Sequence, residues 1–389
     1  MGIFCERLHI SSHGLNPVMN KSPDILVVGG GLIGMLTAFE FSREGLHVCL
    51  LERGETGQES SWAGGGILSP LYPWRYDDAV SQLATWSQQA YPDLLATLHE
   101  MSGIDPEWQH SGLLILDVDD PEKAQDWATR FTQQLEWLDP AELAGQRPGL
   151  GVRPGQPSAW LPTVGQIRNP RFVRALRKAI ELAGVDIHTG TEVTGFKTSP
   201  VGVEGVVTAT GQTFLADKVV VAGGAWSSEL LAKTGVSIEV EPVRGQMLLY
   251  RAEPGVLNNI LLYQSRYVIP RKDGRILIGS TLEHVGFDKG ITGNAREDLQ
   301  SAALELLPAL ADYPVEHHWA GLRPGSPAGI PYIGRHPDIA GLYMNCGHFR
   351  NGVILAPASV RLLVDSVLGN EPIINPLEYM VNSQASRLA

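Results

Sequence analysis

Two stretches of this chain hold residues whose types and spacing can do chemistry. The first reads Asp24-Ile-Leu-Val-Val-Gly29-Gly-Gly31-Leu32-Ile33-Gly34, then an apolar helical stretch, then His47-Val-Cys-Leu-Leu-Glu52. A short apolar strand enters a glycine turn, the turn opens a helix, and a second strand ends on an acid. This is the unit that binds the ADP half of a dinucleotide. Gly29 permits the sharp turn, Gly31 lets the backbone touch a pyrophosphate, and Gly34 lets helix and strand pack closely. The helix start offers free N–H donors to the phosphates. Glu52 stands where a carboxylate accepts a hydrogen bond from a ribose hydroxyl. An acid there disfavours a 2′-phosphate, a distinction softened by Arg53 directly after it.

The second stretch is the C-terminal quarter. It holds Trp319-Ala-Gly-Leu-Arg323-Pro-Gly-Ser-Pro-Ala-Gly-Ile-Pro-Tyr332-Ile-Gly-Arg335 and Cys346-Gly-His348-Phe349-Arg350-Asn351-Gly352-Val353-Ile354-Leu-Ala-Pro357. The latter opens a final helix over 358–368, whose start offers N–H donors to nearby negative charge. His317-His318 has no carboxylate at ligand spacing, and no metal site is expected.

The elements that must position these groups follow from pattern. Residues 60–68, Ser60-Ser61-Trp-Ala-Gly-Gly65-Gly66-Ile67-Leu, form a loop of small residues against which a flat ring or a ribityl chain can lie. Residues 77–101 have helical spacing, with Pro92 arguing for a break. A strand is expected over 112–118, a helix over 121–135, and irregular chain over 140–162. Asn169-Pro170 reads as N-cap and N1 of a helix ending before Gly184. Strands follow at 185–188, 192–196, 203–209 and 218–222, the last running into Gly223-Gly-Ala-Trp-Ser as the chain returns to the dinucleotide sheet. Residues 238–281 are β-rich, with a hairpin turn at Asp273-Gly274. Asn294-x-x-Glu297 reads as a capping box.

The fold class expected is α/β: a Rossmann-like, glutathione-reductase-type FAD-binding domain with an inserted α+β substrate domain built on an antiparallel sheet. The first comprises 23–71, 163–237 and 320–370, and the second 72–162 and 238–319. A disordered arm over 1–22, with Met19 an alternative start, and a tail over 371–389 flank them.

Composition narrows the function. The 389 residues are 43% hydrophobic and 19% charged, with a net charge of −12, which suits a multidomain globular protein and argues against nucleic-acid binding. Cys5, Cys49 and Cys346 form no C-x-x-C pair, so neither a disulfide framework nor a zinc site is indicated, and a cytoplasmic location is expected. The first eighteen residues carry no apolar h-region, so no signal peptide is expected, and without a run of eighteen apolar residues no stable membrane insertion is expected.

The segments 29–34, 60–68 and 222–226 and the two C-terminal segments together resemble the D-amino-acid-oxidase superfamily of flavoproteins. The Ala-Gly-Leu-Arg-Pro-Gly, Pro-Tyr-Ile-Gly-Arg and Gly-His-Phe-Arg-Asn-Gly wording is most similar to its glycine-oxidase family. The resemblance spans about residues 24–368. It implies non-covalent FAD and oxidation of glycine, sarcosine or small D-amino acids by O2, giving a keto acid, ammonia or amine, and hydrogen peroxide. It also implies a supply of glycine imine for the thiamine thiazole ring, and a homotetramer.

On this resemblance the FAD positions are Leu32, Ile33, Glu52, Arg53, Ser60, Ser61, Gly65, Gly66, Ile67, Val193 and the run His348, Phe349, Arg350, Asn351, Gly352, Val353 and Ile354. The glycines 29, 31, 34 and 223 stand beside them. Arg323 matches the arginine that grips the substrate carboxylate, and Tyr267 a tyrosine meeting the same group. Arg350 is open between flavin and substrate. A planar arginine fork suits a carboxylate, and the flavin performs the redox step, so no catalytic base is required. Arg323 as a salt-bridged structural residue and Tyr267 as strand packing are the plain alternatives, and His348 reads as structural ahead of a base. Ile67 and Leu282 are candidate pocket walls, and Tyr263 is undecided. The competing activities are a D-amino-acid dehydrogenase passing electrons to a quinone, a sarcosine oxidase, an FAD-binding module without turnover and an NAD-dependent dehydrogenase.

Overall fold

A computed structural model describes residues 22–152 and 154–381. The expected arm, with Cys5 and Met19, lies outside the described residues, as do Arg153 and 382–389 of the tail.

The strand entering the glycine turn, the strand ending at Glu52 and the strands expected at 185–188 and 218–222 form a six-stranded sheet with two strands that the sequence did not announce, Tyr332–Arg335 and Leu342–Cys346. Its order is Tyr332–Arg335, Leu342–Cys346, Val219–Val221, Ile25–Val28, Val48–Leu51, Asp186–His188. The pairs are parallel except the first. Alternation splits each strand between two cores. Ile25, Val27, Val48, Leu50 and Val220 face the helices Leu32–Arg43, Asp78–Ser102, Asn169–Leu182 and Gly352–Leu368. Leu26, Val28, Cys49, Leu51, Val219 and Val221 face the other way, against Val203 and Val206 of a small three-stranded antiparallel sheet. The uninterrupted apolar strand sequences are explained by this double burial.

The second layer is an eight-stranded sheet: Val315–Gly325, Glu241–Tyr250, Ile276–Gly279, Arg266–Pro270, Ile260–Tyr263, Leu113–Ile115, Ser158–Leu161, Glu136–Leu138. It is antiparallel apart from the pair Ile260–Tyr263 with Leu113–Ile115. One face packs on the helix Gly293–Leu306 through Leu248, Val268 and Ile278. The other, with Met247, Tyr267 and Ile269, turns toward the site.

Five local expectations are corrected. Pro92 lies inside one continuous helix, Asp78–Ser102, because the buried stripe of Leu83, Tyr91, Leu95 and Leu98 runs through it and outweighs the local cost of proline, about 3 kcal/mol. Residues 140–162 are irregular only in part: Asp139 and Glu142 form a capping box for the helix Pro140–Gln146, and Ser158–Leu161 is a strand. Thr292, not Asn294, caps the helix Gly293–Leu306. Asn169 is already helical, with Arg168 at the N-cap, and its amide is used elsewhere. The final helix starts earlier than expected, at Gly352. By length and apolarity the segment Phe349–Leu368 could cross a membrane, but 72% of it is buried inside the protein, as expected of a core helix.

Candidate active site

The nucleotide end is built from backbone. Gly29 has φ +111°, and a Cβ there would sit 2.4 Å from the Ala222 carbonyl oxygen of the neighbouring strand end. A Cβ on Gly34 would lie 1.8 Å from the Gly29 oxygen, so helix and turn touch only because both lack side chains. Gly31 meets nothing closer than the Ser61 hydroxyl at 3.3 Å and opens toward a cavity. The helix Leu32–Arg43 has no side-chain cap and no acid in its first turn, which leaves its positive end for an anion. Leu32 N–H donates to Ser61 Oγ at 2.8 Å. Glu52 accepts from the Gly30 and Gly54 N–H groups at 2.6 and 2.8 Å. Gly30 was missed in the sequence. A Cβ there would come within 2.8 Å of both Glu52 and Thr56, so the second glycine of the run seats the acid.

The loop 60–68 is small for a reason beyond ligand approach. It starts as the short helix Ser60–Ala63 and continues against the protein behind it. A Cβ on Gly64, Gly65 or Gly66 would come within 2.7 Å of Asn169 Nδ2, 2.9 Å of Ile269 Cδ1 and 2.1 Å of the Ile167 oxygen, respectively. Asn169 Nδ2 donates to the Ser61 carbonyl at 2.9 Å. Buried Arg271 donates to the Gly65 and Ile167 carbonyls and to Gln166 Oε1 at 2.8, 3.0 and 2.7 Å, tying the loop to the eight-stranded sheet. Neither Asn169 nor Arg271 announced this in the sequence, since each acts across more than a hundred residues.

These groups line one cavity of about 480 Å³. Its wall includes Gly29, Gly31, Leu32, Ile33, Glu52, Arg53, Ser60, Ser61, Gly65, Gly66, Ile67, Val193 and Gly223. It continues through Tyr267, Arg323, His348, Phe349, Arg350, Asn351, Gly352, Val353 and Ile354. Of the residues expected to hold the cofactor or the substrate carboxylate, Gly34 alone stands behind the wall, where its packing role places it. Leu282 does not line the cavity and is 46% exposed, and Tyr263 is likewise off the wall.

The opposite end is built from charge. Strand Val315–Gly325 carries Arg323, whose Nη2 donates to Ser280 Oγ at 2.6 Å and Nη1 to the Thr281 carbonyl at 3.2 Å. Gly245 on the adjacent strand makes the room: a Cβ there would lie 2.1 Å from the guanidinium. Tyr267 lies beside the same group; burial holds the Arg323 pKa below its ordinary value, with Tyr267 opposing the shift and the repulsion of Arg350 adding to it. Tyr267 is buried, with Gly279 cleared for its ring and its hydroxyl 3.8 Å from Met247 Sδ. Among the described residues neither Arg323 nor Arg350 has a carboxylate partner, although both stand on the cavity wall. Two guanidinium groups so placed call for an anionic ligand.

Phe349, at φ +47°, turns the chain from strand Leu342–Cys346 into the helix Gly352–Leu368, which again has no side-chain cap and no acid in its first turn. His348 beside it is 2% exposed and bonded through Nε2 to Ser359 Oγ at 3.0 Å; burial pushes its pKa down to about 3, so it is neutral. This fits a structural histidine.

The cavity fits a dinucleotide bearing a polar ring. Two uncapped helix starts face it from opposite ends, and the buried side-chain amides of Asn345 and Asn351, both on its wall, have polar atoms without a partner. A dinucleotide turn on a parallel sheet, joined to a mainly antiparallel sheet carrying Arg323, suits a nucleotide-dependent oxidoreductase of small anionic substrates. The particular family follows from comparison. The model for the FAD dependent oxidoreductase (DAO) family matches residues 24–366, and the chain belongs to that family, with FAD as its cofactor. It is 51% identical to a glycine oxidase of Pseudomonas aeruginosa, over 92% of this chain and 98% of that one. It is 32% identical to a bifunctional protein ThiO/ThiG of Trichormus variabilis, over 92% of this chain and 54% of that protein. The crystal structure of glycine oxidase from Geobacillus kaustophilus superposes with a TM-score of 0.85 at 29% identity, covering 92% of this chain and 98% of that one.

Proposed function

We propose that this chain catalyses the oxidative deamination of glycine and other small amines with O2, giving glyoxylate or another keto acid, ammonia or amine, and hydrogen peroxide. The observation that carries the reading is Arg323, a guanidinium on the cavity wall with no carboxylate of its own, oriented by Ser280, Thr281 and Tyr267. Its fork takes the substrate carboxylate in two parallel hydrogen bonds. The Tyr267 hydroxyl meets the same carboxylate, and Arg350 adds a second positive charge on that side of the cavity. The helix start at Gly352 directs free N–H groups at negative charge that builds up during turnover.

FAD, when bound, supplies the hydride acceptor and passes the electrons to O2. The residues assigned to hold it are those of the glycine turn, Glu52, the loop 60–68, Val193 and the run 348–354. His348 is held neutral and takes no proton from the substrate; the amine is oxidised in its neutral form. Half-buried Ile67 and buried Tyr267 line the cavity and favour small side chains, although one methylene is worth only about 1–3 kcal/mol of discrimination.

Similarity to a fused ThiO/ThiG protein supports a place beside thiazole assembly, with glycine imine as the material supplied. The same reading includes a cytoplasmic location, consistent with free buried Cys49 and Cys346, and a homotetramer. Oxygen uptake and peroxide release with glycine, sarcosine and D-alanine test the activity. Anaerobic bleaching of the yellow protein by glycine without peroxide in air would instead support the quinone-linked dehydrogenase.

A further inference from the structure

Residues 281–292 connect strand Ile276–Gly279 to helix Gly293–Leu306 and contribute nothing to the cavity wall. Their surface is apolar for a loop, with Phe287 39% and Ile291 54% exposed. Yet the segment is fastened like a core element. Arg244, 4% exposed, donates from Nε and Nη2 to Glu283 Oε2 at 3.2 and 2.6 Å and from Nη1 to Asp288 Oδ2 at 2.5 Å. Its backbone exchanges two hydrogen bonds with Glu283, at 2.9 and 3.0 Å. Fully buried Gln246 donates to Glu283 Oε1 at 2.9 Å and accepts from Thr292 N–H at 2.9 Å. Its own N–H donates to Thr281 Oγ1 at 2.9 Å, and that hydroxyl donates to Glu283.

The two ends of this strap meet the two ends of the site. At its root stand Ser280 and Thr281, the acceptors for both Arg323 nitrogens. At its tip Phe287 stacks on Trp226, centroids 5.3 Å apart, and Trp226 lies under the Arg53 guanidinium at 3.5 Å. Lys289 reaches Glu59 at 3.0 Å. Burying an arginine with carboxylates is a poor route to stability, because desolvation cancels most of the attraction. What the arrangement does provide is direction: a bidentate, branched contact fixes where the strap runs.

We propose that Arg244 is a positioning residue for substrate binding. Through Glu283 it fixes Thr281 and Ser280, and these hold the Arg323 fork at the angle a carboxylate needs. Asp288 anchors the strap's tip side from the same guanidinium. The inference rests on the reading that Arg323 binds the substrate carboxylate.

The test uses the FAD-loaded protein and glycolate, a carboxylate without an amine, whose binding is read from the visible flavin spectrum. Arg244→Met should weaken glycolate and raise the glycine KM by about tenfold or more, with kcat changed far less, as expected of a misplaced contact group. Arg244→Lys should recover part of the loss. If Arg244→Met does not fold, Glu283→Gln decides, with a loss of at least about threefold expected. Glycolate affinity within about twofold of the unsubstituted protein in whichever of these variants folds would overturn the proposal. Arg323→Ala separates the two levels. If it abolishes glycolate binding while the strap variants do not, only the positioning role fails. If it leaves glycolate binding intact, the carboxylate reading fails and the positioning role goes with it.

Discussion

The nucleotide end of the cavity is made by the continuous run 24–52, from backbone N–H groups, absent side chains and one acid. The end proposed to take the substrate carboxylate is made by Arg323, Tyr267, Ser280, Thr281 and Arg350, drawn from two strands, the chain just beyond a third and a helix start. The first end depends on what is missing at Gly29, Gly31 and Gly34; the second depends on what is present and unpaired. A backbone site tolerates no added atom, whereas a side-chain site tolerates no lost one. Substitutions at the two ends should therefore fail in different ways.

Arg323→Ala carries the largest expected effect. Losing such a fork costs about 3–5 kcal/mol, which is a rise of roughly two to four orders of magnitude in the glycine KM. Flavin content, read as visible absorbance per protein, should stay close to that of the unsubstituted enzyme, since Arg323 is placed on the carboxylate side. Equal losses of flavin and of glycine binding would erase the division between the ends.

Gly34→Ala tests the other end with a single carbon. A Cβ placed 1.8 Å from the Gly29 oxygen forces helix and turn apart, at a cost of about 1–3 kcal/mol in stability. The protein should purify with less flavin and a lower Tm, while the fraction that retains flavin keeps its glycine KM. A normal flavin content would mean that the turn can yield, and that the close approach is not what shapes the phosphate site.

The same division explains how much was legible in the sequence. Gly29, Gly31, Gly34 and Glu52 could be read because they share one strand–helix–strand unit, and the central strands 25–28, 48–51 and 219–221 because their apolar runs are uninterrupted, whereas strands 332–335 and 342–346 of the same sheet were not legible. Arg323 and the run 348–354 could be placed only through the wording of their segments, since an arginine in a strand carries no local sign of what it faces. Arg271, Asn169 and Arg244 were not legible at all: each acts on residues far away in sequence, and Asn169 even imitated a helix cap. Gly245 and Gly279 looked like ordinary strand glycines, and the space they leave becomes meaningful only when Arg323 and Tyr267 fill it. Pro92 misled for the complementary reason, because its local cost is outweighed by packing against the final helix.

The smallest expected effect concerns His348, which sits at the charged end but is held neutral. Burial lowers its folded-state pKa to about 3 from an ordinary value of 6.5. Between these values the unfolded chain takes up a proton that the folded chain refuses. The stabilising contribution is thus complete above pH 6.5 and is lost progressively as the pH falls toward 3. The slope from one such group is at most about 1.4 kcal/mol per pH unit. Buried His336 and partly buried His318 are shifted in the same direction, so the diagnostic quantity is a difference between proteins. Urea denaturation of the apoprotein between about pH 6.5 and 5 should show a shallower pH dependence in His348→Gln than in the unsubstituted chain, by up to about 2 kcal/mol over that range. In the FAD-loaded enzyme the glycine KM above neutrality should hardly move, because Nε2 is engaged with Ser359, whose hydroxyl donates onward to the Ala356 carbonyl. A fall in kcat that follows a single protonation, with stability unaltered, would reverse the assignment and give the charged end a titrating group.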